Sequence, residues 1–126
     1  MMDERLFQEI FSELKKVLPL EWSRIAFFAG YTKGSYTMKY YIDDGKTGYI
    51  DCFKLGNVNK SSLVRLFMDI DKIISPNRNS LDESKKWTVL SLFVNSEGKI
   101  SAKFDYTDIS ENAIAYEQEW KERWLK

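Results

Sequence analysis

The side chains that could do chemistry in this chain are mainly carboxylates, and they include three close pairs. Paired carboxylates can act as general acid and base or hold a hard cation. The three pairs are Asp43 with Asp44, Asp69 with Asp71, and Asp105 with Asp108. Turn formation explains the first pair, which precedes a glycine, and a solvent-facing helix surface explains the second. The third pair has too few oxygen ligands nearby to predict a cation site.

The other groups that catalysis commonly uses are absent from the sequence. The chain has no histidine, which removes the commonest general base at neutral pH and the commonest zinc ligand. Its six glycines form no phosphate-binding motif. Cys52 is the only cysteine, and its place in an aromatic run predicts a buried thiol. We therefore predict that the protein is not an enzyme and has no catalytic, cofactor or metal site.

Composition predicts one globular domain. The chain has 126 residues, and its 19 basic and 19 acidic side chains leave no net charge. A nucleic-acid binder usually carries a basic excess, so we expect no nucleic-acid partner. No apolar run approaches the roughly 18 residues needed to cross a bilayer. Acidic residues interrupt the first apolar stretch, so we expect no secretory signal, no membrane partner and a cytoplasmic location.

Hydrophobic periodicity predicts three helices. The spacing of apolar residues in the first segment of the chain fits an amphipathic helix that ends at Pro19. The second helix is expected to start at Asn59 or Ser61 and to end at Pro76, before a polar loop over 76–86. The last is expected to start near Asp108 or Ser110, since Asp108 and Glu111 have the spacing of a capping box.

Runs of β-forming residues between short turns predict five strands. Because short connections dominate, the strands should form one antiparallel sheet with flanking helices, an α+β fold of order α-βββ-α-ββ-α. The second strand has an apolar face and a mixed face that carries Thr37, Lys39 and Tyr41. The predicted strands are Trp22–Thr32, Ser35–Asp43, Thr47–Leu55, Trp87–Asn95 and Lys99–Tyr106.

Charge is balanced over the whole chain but not along it. Between Phe104 and Trp120 there are five acidic residues and no lysine or arginine, interleaved with aromatic residues. One interpretation is that the acids cap a helix while the aromatic rings, like Trp22 and Trp87, belong to the core. The other is a negative surface that docks a basic partner, because complementary charge speeds association.

Several short motifs, in order from about residue 5 to 124, resemble the YezG-like family of immunity proteins, the EsaG-type antitoxins. The resemblance implies binding and neutralising a cognate polymorphic toxin, in the well-known cases a nuclease delivered by a specialised secretion system. The motifs are Leu-Pro-Leu-Glu-Trp ending at Trp22, the aromatic strand over 36–42, Trp-Thr-Val-Leu-Ser-Leu starting at Trp87, Gly98-Lys99, Phe-Asp-Tyr-Thr-Asp ending at Asp108, and Trp120.

The predicted partner is therefore a secreted toxin encoded nearby, with a basic active-site face, held in a stoichiometric complex. Some relatives carry an acidic C-terminal extension that this sequence lacks after Lys126, so the folded surface is expected to make the contact. The alternative is a non-catalytic adaptor that binds a peptide on the mixed sheet face or on an edge strand. The candidate partner-binding residues are Glu21, Asp105, Tyr106, Asp108, Glu111, Glu117 and Trp120.

Overall fold

The computed structural model describes residues 2–18, 21–46, 48–55 and 59–125. The order of its helices and strands confirms the predicted α-βββ-α-ββ-α fold. Two short 3₁₀ turns, Cys52–Lys54 and Glu83–Lys85, join these elements. The elements are α1 (Met2–Lys15), β1 (Arg24–Thr32), β2 (Ser35–Asp43), β3 (Tyr49–Asp51), α2 (Lys60–Asn79), β4 (Val89–Asn95), β5 (Ile100–Asp105) and α3 (Ala113–Trp124).

The five strands form one antiparallel sheet in the order β3-β2-β1-β4-β5. β1 lies at the centre, paired with β2 from Arg24 opposite Asp43 to Thr32 opposite Ser35. Its other side pairs with β4. Every residue of β1 from 25 to 31 is buried, so both faces of the sheet must be covered.

α1 and α2 pack on one face of the sheet and form the larger core. The apolar side of each helix meets alternate side chains of the strands, as the period of each element requires. Burial of each such side chain contributes about 1.5–3 kcal/mol. The fully buried members include Ile10, Leu14, Phe27, Tyr40, Leu63, Ile70, Ile74, Leu90 and Leu92.

α3 covers the opposite face. Its only buried side chain, Trp120, packs its ring 5.1 Å from Phe28 and 5.8 Å from Tyr41, centroid to centroid. The indole Nε1 of Trp120 donates a 2.8 Å hydrogen bond to Ser91 Oγ, which satisfies both polar groups in a buried position. The sheet is therefore the middle of three layers.

Two helix ends differ from those predicted. Pro76 lies inside α2, and the helix continues to Asn79. The last turn is held by tertiary contact, because Arg78 Nε donates a 2.7 Å hydrogen bond to the carbonyl oxygen of Trp87. α1 ends at Lys15, and Val17 bonds back to the carbonyl of Leu14 in a closing turn. Pro19, the expected helix stop, lies outside the described residues.

The third strand is shorter than the predicted Thr47–Leu55. Thr47 lies outside the described residues, and pairing ends at Asp51, whose Oδ1 accepts a hydrogen bond from Phe53 N at 2.9 Å. This bond turns the chain into the 3₁₀ turn and places Cys52 in the core, as predicted. The start of α2 is also as predicted, since the side chain of Asn59 accepts a hydrogen bond from Ser62 N.

The connection between β5 and α3 crosses the ends of the strands and is fixed at two points. Thr88 Oγ1 donates to the carbonyl oxygens of Asp105 at 3.0 Å and Thr107 at 2.6 Å. Ile109 is buried against β1 at Gly30. A Cβ atom on Gly30 would stand 3.2 Å from Ile109 Cδ1 and 3.1 Å from Phe28 Cε1, so a larger residue does not fit without displacement.

We predict that Gly30→Ala destabilises the protein by about 1–3 kcal/mol, because the added methyl overpacks the seat of Ile109. Urea unfolding measures the change in the free energy of unfolding. Ile109→Val removes the Cδ1 atom that clashes, so the double variant should be more stable than the sum of the two single losses predicts. Strictly additive losses would show that the two side chains do not compete for this space.

Candidate protein-binding site

The candidate site, here called the acidic surface, lies where the β5–α3 connection leads into α3. Of the large apolar side chains exposed in the described residues, two are in this segment: Tyr106, 58% exposed, and Ile114, 81% exposed. Three others, Phe53, Val64 and Met68, are on the side of the sheet that α1 and α2 cover, here called the helical layer. The acidic surface comprises Asp105, Tyr106, Asp108, Glu111, Ile114 and Glu117.

Asp105 is an ionised carboxylate whose oxygens are engaged inside the protein. Its Oδ1 accepts hydrogen bonds from Thr107 N at 3.0 Å and Thr107 Oγ1 at 2.8 Å. Its Oδ2 accepts one from the Tyr116 hydroxyl. The Tyr116 bond, with those from Thr107, lowers the pKa of Asp105, although partial burial opposes the effect. Asp105 thus contributes charge to the surface and also ties β5 to α3.

Asp108 and Glu111 are the open carboxylates of the acidic surface. Asp108 Oδ1 accepts from Ser110 N at 3.0 Å and from Ser110 Oγ at 2.7 Å, and these bonds lower the pKa of Asp108. This is a local turn, and α3 begins only after Asn112, whose side chain makes no capping bond. The predicted capping box of Asp108 and Glu111 is therefore wrong. Both side chains are exposed to solvent.

Glu117 holds α3 against the sheet. Its Oε2 lies 3.4 Å from Lys39 Nζ, which is also 3.5 Å from Asp51 Oδ2. Burial of Lys39 opposes its charge, but the two carboxylates raise the pKa of this amine above its ordinary value. Glu117 is only 15% exposed, so most of its negative charge is compensated within the fold.

Two of the predicted contact residues do not belong to the acidic surface. Trp120 is 4% exposed and lies in the core under α3, so its prediction as a surface contact is wrong. Glu21 is exposed but precedes the start of β1, whereas the connection crosses the other end of that strand at Gly30. At about 3.3 Å per residue, Arg24 at the start of β1 and Gly30 are roughly 20 Å apart.

Trp87 has the core position expected of it, and Trp22 is partly buried against the core. Trp87 is 2% exposed, and Trp22 packs its ring edge-on to Phe11 at 6.3 Å. Sequence reasoning missed Ile114. The available signal was an isoleucine off the stripe that Tyr116 and Trp120 define on α3. Ile114 and Ile109 border a groove of about 120 Å³ whose other side is formed by Thr32, Tyr36 and Thr37.

The mixed face of β2 is not an open platform. Lys39 is paired with Glu117, and the ring of Tyr41 packs against Trp120, so α3 occupies the surface that the adaptor hypothesis required. The edge strands remain, since among the described strands β5 pairs with β4 alone and β3 pairs with β2 alone.

In the part of the chain that the structure describes, no helix has the length and apolar character needed to cross a bilayer. No group of three or more histidine, cysteine, aspartate or glutamate side chains in that part is placed to hold a metal ion.

We predict that Tyr116→Phe costs more stability at pH 7 than at pH 3. The lowered pKa of Asp105 means that its ionised form is favoured by folding. That stability is present above the ordinary aspartate pKa of about 3.9 and is lost as the pH falls through the lowered folded value. Urea unfolding at the two pH values measures the difference. Tyr106→Phe is the matched control, and equal losses for Tyr116→Phe at both pH values would contradict the linkage.

Comparison with known proteins agrees with these features. The chain matches the family model described as "Immunity protein YezG-like" over residues 3–125. No curated individual protein matches the sequence significantly. The matched range contains all five strands, α3 and the whole acidic surface. The chain therefore belongs to the YezG-like family of immunity proteins.

Proposed function

We propose that this immunity protein neutralises a cognate secreted toxin, a nuclease, by binding it stoichiometrically through the acidic surface. The observation that carries the proposal is the pairing of two exposed apolar side chains, Tyr106 and Ile114, with the open carboxylates Asp108 and Glu111. The segment from Phe104 to Trp120 contains no lysine or arginine to neutralise them. We further propose that the toxin is encoded nearby and is met in the cytoplasm.

A nuclease supplies the complementary surface. Its substrate is a polyanion, so its active-site groove must be basic to neutralise phosphates. Carboxylates on a rigid fold can occupy the places of those phosphates, and the opposite charges steer the two proteins together. Fast association suits an inhibitor that must bind before damage occurs.

The exposed apolar side chains supply the anchor that charge alone does not. Interfaces are held mainly by a few central, well-packed residues inside a polar rim. Tyr106 lies on the connection, which is fixed by Thr88 and by Ile109, and Ile114 lies in the first turn of α3, so both are on ordered backbone. A rigid anchor loses little conformational entropy on binding.

Binding without catalysis is the activity that the chain's groups support. There is no histidine in the sequence. Asp43, the most buried carboxylate among the residues whose burial is described, accepts hydrogen bonds from Arg24 at 3.0 and 2.5 Å and from Gly45 N at 2.7 Å. A carboxylate held in this way is structural, and the family is one of immunity proteins.

Reversal of the open charges tests the electrostatic part of the proposal. For Asp108→Lys with Glu111→Lys, we expect the association rate with an inactivated toxin to fall about tenfold or more at low salt. Both residues are exposed, so the free energy of unfolding should change by no more than about 0.5 kcal/mol. Glu97→Lys, in the β4–β5 turn, is the matched control. Stopped-flow association rates equal to wild type would remove the acidic surface from the proposal.

Truncation of the anchors tests the apolar part. We expect Tyr106→Ala and Ile114→Ala each to weaken toxin binding about tenfold or more, mainly through faster dissociation. Val64→Ala and Met68→Ala are matched controls, because these side chains are 48% and 50% exposed on the opposite layer. Surface plasmon resonance gives the rates. Larger losses from the controls would place the interface on the helical layer.

A further inference from the structure

A polar pocket of about 330 Å³ lies on the helical side of the β1–β2 hairpin tip. We call it the hairpin pocket; its walls are Tyr31, Ser35 and Tyr36 from the hairpin and Asp71, Ser75 and Arg78 from α2. Thr32 and Tyr36 line both this pocket and the groove beside Ile114. The hairpin pocket and the acidic surface therefore adjoin at one end of the molecule.

Asp71 is held in this pocket by two hydroxyl groups. Its Oδ1 accepts hydrogen bonds from the Tyr31 hydroxyl at 2.6 Å and from Ser75 Oγ at 2.8 Å. Burial, together with the Asp71 carboxylate, raises the pKa of Tyr31, so the phenol stays a donor. In the described ranges no group donates a hydrogen bond to the second oxygen, Oδ2. The carboxylate is thus oriented, with an accepting oxygen available.

No cation in the described part of the chain neutralises Asp71, which forms none of the ion pairs found there. The nearest candidate on α2, Arg78, is held elsewhere. Its guanidinium stacks over the rings of Tyr31 at 5.0 Å and Trp87 at 5.5 Å, and its Nε bonds to the Trp87 carbonyl. Seven residues along a helix place the Cα atoms of Asp71 and Arg78 about 10 Å apart.

We infer that the hairpin pocket takes a basic side chain of the bound toxin, a guanidinium or an ammonium group, with Asp71 as its ligand. The inference rests on the proposed function, because it extends the toxin interface around the hairpin tip. Charge-assisted hydrogen bonds to a fixed, partly buried carboxylate are stronger and more selective than those to a mobile surface acid. The ring of Tyr36, which lies 5.8 Å from that of Tyr31, forms an aromatic wall suited to a flat guanidinium.

The pocket can be tested on the full chain without the toxin. We expect butylguanidinium to shift the amide NMR signals of Ser35, Tyr36 and Ser75, and uncharged butylurea to leave them unchanged. Asp71→Asn keeps an acceptor oxygen for Tyr31 and Ser75 but removes the charge, so it should weaken butylguanidinium binding about tenfold. Equal binding by wild type and Asp71→Asn would overturn the inference. So would acetate shifts of the same signals that exceed those from butylguanidinium.

A second comparison uses an inactivated toxin. Asp71→Asn should weaken toxin binding about tenfold. Asp69→Asn, an exposed neighbour 3.9 Å from Lys72, is the matched control and should have no effect. Equal affinity of wild type and Asp71→Asn would overturn the pocket but leave the proposed function intact. If wild type binds no toxin, the proposed function fails and the butylguanidinium titration decides the pocket.

If Asp71→Asn unfolds, Ser75→Ala replaces it in the titration. This variant keeps the charge of Asp71 but removes one hydrogen bond to it, so it should bind butylguanidinium about threefold more weakly. Unchanged binding by that variant would overturn the inference.

Discussion

Burial of β1 on both faces is the constraint on which the rest of this structure depends. A central strand with every side chain from 25 to 31 buried is stable only if each face of the sheet has a cover. α1 and α2 supply one cover, and α3 together with Ile109 supplies the other. The acidic segment leads into α3, so the negative charges sit beside the helix that completes the fold.

Four of the five acidic residues of this segment divide into two that hold α3 to the sheet and two that face solvent on the connection. Asp105 of β5 bonds to Tyr116 of α3, and Glu117 of α3 pairs with Lys39 of β2. These contacts hold α3 to strands on either side of the central strand β1. Asp108 and Glu111 are exposed on the connection between the fastened points. A surface built in this way stays in place while it presents charge, which is what a preorganised inhibitor needs.

The hairpin tip joins two regions that are far apart in sequence. Thr32 and Tyr36 separate the groove beside Ile114 from the pocket that holds Asp71. The β1–β2 hairpin tip therefore lies between the exposed side chain of Ile114, beside the open carboxylates, and the oriented carboxylate of Asp71. A flat, uniformly charged patch would attract many basic proteins, whereas a shaped site with a pocket can discriminate among them.

The sequence determined the fold class, the element order, the burial of Cys52 and Trp87, and the acidic run, because each depends on local periodicity or composition. The tertiary structure decided what local patterns do not contain. Arg78 in the last turn of α2 bonds to Trp87, and α2 stays helical past Pro76. Ile109 is buried at Gly30, and α3 starts only at Ala113, beyond the predicted capping box. Contacts distant in sequence also buried Trp120 and exposed Ile114, since the orientation of α3 on the sheet selects which of its residues face the core.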